Sequence, residues 1–111
     1  MVNINNFYFL KNVNSPIESN PTINIDGDVL CIEVEGTAST CDVEVLVGSD
    51  RVSTEYYPIT GMDPQFNLVE NITKNGCYIY GIEGYSRIKV NLKSVSGGDV
   101  SIFGKIIKEG V

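Results

Sequence analysis

The sequence predicts an all-β fold, an antiparallel β-sandwich of jelly-roll-like type, and three observations carry that prediction. Val, Ile, Tyr and Phe dominate the apolar content, apolar and polar residues alternate over several short runs, and Gly, Asn, Asp and Pro punctuate the intervals. β-Branched and aromatic side chains suit a pleated, half-buried surface. No segment carries an apolar stripe at helical spacing, so any helix is expected to be one short turn. The spacing of turns predicts about seven to nine short strands.

The first strand is expected over Asn5–Val13, closed by Ser15-Pro16, since proline sits at strand ends and edges. Asp26-Gly27-Asp28 reads as a turn, after which Leu30, Ile32 and Val34 face one way and Cys31, Glu33 and Glu35 the other. Beyond a small, polar stretch, Cys41, Val43, Val45 and Val47 alternate with Asp42, Glu44 and Leu46 up to a Gly48-Ser49-Asp50-Arg51 turn. These two runs predict an antiparallel hairpin. Thr54–Thr60 is expected to be extended and at an edge, because Pro58 cannot donate to a ladder. Gly61-Met62-Asp63-Pro64 reads as loop, and Phe66, Leu68 and Ile72 fit alternation only in part. Lys74-Asn75-Gly76 predicts a turn leading into a strand over Cys77–Ile82, giving a short strand and hairpin. After Glu83-Gly84-Tyr85, Ile88, Val90 and Leu92 oppose Arg87, Lys89, Asn91 and Lys93, the cleanest alternation in the chain. A last strand through Val100, Ile102 and Ile106 follows Gly97-Gly98.

A chain of 111 residues predicts one β-sandwich domain over 1–111. With 42% hydrophobic and 20% charged residues the chain is expected to fold rather than stay disordered. A net charge of −6 argues against a nucleic-acid partner, which needs a basic surface. The start, Met1-Val2-Asn3-Ile4, lacks the pattern of a signal peptide, and no apolar run approaches the ~20 residues of a membrane span. Synthesis in the cytoplasm and no membrane partner are therefore expected. Cys31, Cys41 and Cys77 are odd in number without CxxC spacing, and His is absent, so buried free thiols are expected ahead of a disulfide or metal site.

Enzyme chemistry finds little support. Without His the usual acid-base partner is missing, and no GxSxG, Walker or GxGxxG spacing occurs, so no catalytic residue and no cofactor are assigned. Glu33, Glu35, Asp42 and Glu44 could pair as glycosidase carboxylates, but acidic residues alternating with apolar ones also describe any solvated sheet face. Asp26, Asp28, Asp50 and Asp99 lie in turns, where Asp either ligates Ca²⁺ or simply builds the turn. Asn71-Ile72-Thr73 matches a glycosylation acceptor, a pattern common by chance. Tyr56, Tyr57, Tyr78, Tyr80 and Tyr85 are the candidate binding residues, either as sugar-stacking platforms or as core and interface anchors. Arg87, Lys89 and Lys93 form a basic stripe, and Glu33, Glu35, Asp42 and Glu44 an acidic one. The two either pair within one sheet or complement each other between subunits.

Residues 74–104, which combine a turn glycine, an aromatic strand, the Gly84-Tyr85 turn, the Arg87-Ile88-Lys89-Val90 strand and Gly97-Gly98, resemble the C-terminal half of small bacteriophage and prophage β-sandwich virion proteins. The paired runs 30–36 and 42–50, with a Gly-Ser-Asp turn, and Tyr57-Pro58-Ile59 are similar more loosely, and the Trp often found near that turn is missing. The resemblance covers about two thirds of the chain. It implies a non-enzymatic structural role as a head-decoration, head-fibre or tail-accessory protein. It also implies a homo-oligomer, trimeric by preference, in contact with other virion proteins. One way to satisfy an open sheet edge would be to pair the strand at Asn5–Val13 with a neighbouring subunit. The rival reading is a carbohydrate- or receptor-binding module using the tyrosines.

Overall fold

The computed structural model describes residues 2–23, 25–49 and 54–109. Among these residues it is all-β, with eleven strands: β1 (Val2–Val13), β2 (Ile17–Glu18), β3 (Thr22–Ile23), β4 (Val29–Gly36), β5 (Thr40–Gly48), β6 (Tyr57–Ile59), β7 (Gly61–Met62), β8 (Leu68–Val69), β9 (Gly76–Gly81), β10 (Arg87–Ser96) and β11 (Val100–Glu109). A six-stranded sheet runs β1-β11-β4-β9-β7-β8, and a five-stranded sheet runs β2-β10-β5-β6 with β3 also on β10. All pairings are antiparallel. The strand count exceeds the expected one because β2, β3, β7 and β8 are two residues each, too short for alternation to register.

The alternating runs supply the core as predicted. Leu30, Ile32 and Val34 of β4 and Ile102 and Ile106 of β11 meet Val43, Val45 and Val47 of β5 and Ile88, Val90 and Leu92 of β10 between the sheets. Burying each such side chain contributes about 1.5–3 kcal/mol. Gly104 of β11 leaves the space in which the rings of Phe7 and Phe9 lie, where a Cβ would collide with Phe9.

The predicted hairpin of the runs at 30–36 and 41–47 does not form: β4 pairs β11 and β9, whereas β5 pairs β10 and β6 in the other sheet. The connection at 37–39 instead crosses between the sheets, side by side with the crossing from β10 to β11 through Gly97-Gly98. Asp99 O accepts from Thr37 N at 2.9 Å and Ala38 N at 3.1 Å, and Ser39 N donates to Ser96 O at 2.9 Å. Gly36 takes φ +133°, with no room for a Cβ beside the Asp99 carbonyl. The pairs β4/β11 and β5/β10 thus make one ribbon folded over the core. Alternation marks which face of a strand is buried but not which strand it pairs, so the exchange of partners left no trace in the sequence.

Gly61-Met62, expected as loop, is β7, which pairs β8 and touches Ile79 of β9 through Met62. The hairpin here closes over 63–67 and not over Lys74-Asn75-Gly76. Asp63 organises it: its Oδ1 accepts from Gln65 N at 2.9 Å and Asn67 N at 3.0 Å. Phe66 N donates to Asp63 O at 3.0 Å. Pro58 sits in β6, at the edge of its sheet as expected. The strand at Asn5–Val13 lies within β1, which pairs with β11 of the same chain and leaves only its outer edge for another strand. Asp50-Arg51 of the predicted turn lies outside the described residues.

Candidate functional site

Of the five candidate tyrosines, three reach the surface. Tyr80 is 1% exposed and Tyr78 8%, both on the inward face of β9, where burial raises their phenol pKa values. Tyr78 OH donates to Lys74 O at 2.8 Å. These two serve the core, not an exposed binding face. The run Cys77-Tyr78-Ile79-Tyr80 is apolar at every position, so alternation could not say which set pointed inward.

Tyr56, Tyr57 and Tyr85 gather around Arg87. Arg87 was expected on an exposed basic stripe, yet it is 4% exposed. Its cross-strand partner is Gly48, whose missing side chain leaves the space the guanidinium occupies. Arg87 Nη2 donates to Glu55 O at 3.0 Å. The ring of Tyr56 covers it, with the ring centroid 4.6 Å from Arg87 Cζ and 4.3 Å from Lys89 Nζ. Such cation–π contacts contribute about 0.5–1 kcal/mol near a surface. Tyr57 OH donates to Glu55 Oε2 at 2.7 Å, which raises the phenol pKa. Tyr57, Tyr85, Glu55, Pro58 and Arg87 line an open hollow of about 270 Å³. This arrangement can stack a flat ligand face on a tyrosine and hydrogen-bond its edge. Among the described residues, no three His, Cys, Asp or Glu side chains gather to hold a metal ion.

The charged stripes do not persist as continuous faces. Lys93 falls at a register shift between Leu92 and Ser94, where it has no directly opposed partner on β5. Lys89 Nζ pairs with Glu18 Oε2 at 3.1 Å. Asn91 Nδ2 donates to Glu44 Oε1 at 3.0 Å and Asn71 Nδ2 to Asp42 Oδ1 at 2.7 Å. The Asn71 of the glycosylation-like triplet is therefore occupied within the chain. Glu33 and Glu35 lie on β4 and Asp42 and Glu44 on β5, in different sheets, because those strands do not form the expected hairpin. Asp26 pairs with Lys108 at 3.2 Å.

Sequence reasoning missed the outer face of the six-stranded sheet. Directly opposed residues of neighbouring strands share a face. One row there is Tyr8, Phe103, Glu33 and Cys77, and the next is Lys105, Cys31, Ile79, Met62 and Leu68. Tyr8 is 46% exposed, Ile79 49% and Leu68 77%. Cys31, Cys77, Ile79, Phe103 and Lys105 border a shallow hollow of about 320 Å³. All three cysteines are free, but only Cys41 is buried as expected; Cys31 is half-buried and Cys77 exposed. Partial burial and then the nearby Glu33 carboxylate raise the Cys77 thiol pKa. The signal was present in the unbroken apolar run of β9, which needs a cover on both faces.

The sequence and the fold agree with one family. A family model described as XepA matches residues 3–106. This chain belongs to the XepA family. Among solved structures, the SPBc2 prophage-derived protein YomS is similar with a TM-score of 0.87 at 19% identity, over 97% of this chain and 96% of that chain. The PBSX exported protein XepA is similar with a TM-score of 0.89 at 24% identity, over 96% of this chain and 38% of that one. The chain thus spans well under half the length of the XepA structure it matches. No curated protein sequence matches it. The resemblance to small phage and prophage β-sandwich proteins read from residues 74–104 holds at the level of family and fold.

Proposed function

We propose that this chain is a non-enzymatic structural and assembly protein of a phage or prophage particle, acting through self-association and contacts with other virion proteins. Membership of the XepA family supports the phage setting. The observation that carries the assembly role is the exposed apolar surface of Tyr8, Phe103, Cys77, Ile79 and Leu68, interrupted by Glu33 and Lys105, since clustered exposed apolar surface marks an interaction site. The protein is made in the cytoplasm and ends in the particle or, like the exported protein XepA, outside the cell. The test is the solution mass of the pure protein by light scattering over a range of concentrations, with and without reductant. A closed oligomer unchanged by reductant is the expected result, and its mass gives the number of subunits, for which a trimer is the first candidate. A monomer at every concentration overturns the reading.

A second reading, glycan or receptor binding, draws on the hollow between Tyr57, Tyr85, Glu55 and Arg87. It predicts glycan-array binding that Tyr57→Ala removes. No binding on the array would leave that hollow a structural feature.

A further inference from the structure

Phe66 is 81% exposed and has φ +66°. Only one other described non-glycine residue has positive φ, Asn12 at +52°. Asn is a type that tolerates the left-handed region, and the Asn12 side chain is hydrogen-bonded to Ser101. Phe66 has neither advantage. It stands after the tight turn of the β7–β8 hairpin, at the left-handed position that glycine usually fills. A bulky residue there opposes folding, and its ring gains almost no burial within the chain. The turn beneath it is nevertheless firm: Asp63 accepts hydrogen bonds from Gln65 N, Asn67 N and Asn67 Nδ2, and those bonds, the one from Asn67 N first, hold its carboxyl below its ordinary pKa. A strained, exposed aromatic on a rigid turn is an anchor whose compensating contact lies outside the chain.

The same chain carries a place for it. The hollow on the outer face of the six-stranded sheet, about 320 Å³ and bordered by Cys31, Glu33, Cys77, Ile79, Phe103 and Lys105, is open and mostly apolar, with Glu33 and Lys105 its two charged members. It is comparable in size to small ligand pockets. Among the described residues Lys105 makes no ion pair, and Asp63 at the base of the turn offers it the opposite charge.

We propose that Phe66, flanked by Leu68, is a knob that inserts into this hollow on a second copy of the chain, with Asp63 facing Lys105 of that copy. The inference rests on the assembly reading and names its interface. Knob and hollow are different patches on one sheet of one molecule, so the contact closes a two-fold dimer where both knobs seat reciprocally and builds a ring where only one does and its rotation closes.

The test measures mass by light scattering and thermal midpoint for the full chain, Phe66→Gly, Ile79→Asp and an equimolar mixture of the two variants. The wild-type chain is expected to be oligomeric and each variant monomeric. Phe66→Gly melts at a higher temperature than wild-type monomer at matched dilution, because glycine relieves the turn. In the mixture, the intact hollow of one variant takes the intact knob of the other and the mass doubles to a dimer. A wild-type oligomer that both variants leave unchanged overturns this interface and leaves the assembly reading standing. A mixture that stays monomeric overturns the knob-to-hollow pairing, as does a lower midpoint for Phe66→Gly, which would give Phe66 to the fold. A wild-type monomer at every concentration overturns both readings.

Discussion

The two outer faces of the sandwich are built from the same kinds of strand but end in opposite states. On the five-stranded sheet, Lys89 meets Glu18, Asn91 meets Glu44, Asn71 meets Asp42, and Tyr56 closes over Arg87. Those side chains find their partners within the chain. On the six-stranded sheet, Tyr8, Phe103, Cys77, Ile79 and Leu68 present apolar surface across the strands, with Glu33 and Lys105 between them. The contrast teaches that charge pattern alone is a poor guide to where a β-sandwich binds: Lys89, Asp42 and Glu44 find partners within the chain, whereas apolar surface on the other sheet stays uncovered.

The comparison can be broken most directly at Arg87. Arg87→Ala removes the buried side chain that Gly48 makes room for and that Tyr56 covers, and is expected to destabilise the fold by about 2–3 kcal/mol, measured by denaturant unfolding. A loss below a few tenths would mean that the closed face owes nothing to this corner. On the open face Phe66→Gly is expected to act in the other direction, stabilising the monomer by about 1–2 kcal/mol through relief of the left-handed strain. The same denaturant curves, taken at a concentration where both proteins are monomeric, check it.

A smaller effect is expected from Lys89→Glu. The Lys89–Glu18 pair is partly exposed, so reversing the charge is expected to cost below about 1 kcal/mol and to leave the oligomer mass unchanged. Dissociation of the oligomer in this variant would shift the interface to the closed face. The mildest probe is chemical. Cys77 is exposed and Cys41 buried, so an alkylating reagent is expected to label Cys77 first in the folded monomer. Because partial burial and Glu33 hold its pKa up, labelling accelerates with rising pH and levels off at a higher pH than for an ordinary thiol. Assembly through the hollow slows this labelling; equal rates in monomer and oligomer would show that Cys77 stays open.

Much of the fold was legible because burial leaves a period-two mark. Leu30, Ile32, Val34, Val43, Val45, Ile88, Val90 and Leu92 all face the core as their alternation requires. The resemblance at residues 74–104 pointed to the family correctly. The candidate site was read less well. Tyr78 and Tyr80 look in composition like Tyr57, and only burial separates them. Arg87 reads as an outward cation because alternation puts it opposite Ile88; that it lies covered depends on Gly48, distant in sequence, and on Tyr56 folding over it.

By itself, the sequence determined an all-β chain, the residues that fill the space between two sheets, and several of the positions where the chain turns, because side-chain type and two-residue periodicity are local properties. Tertiary structure alone decided that β4 and β5 part company across the core, that the acidic residues divide between two sides of the molecule, and that Cys77, Ile79, Phe103 and Lys105 come together on one open face. Those outcomes depend on which strands pair and in what register, which long-range contacts select and alternation cannot encode.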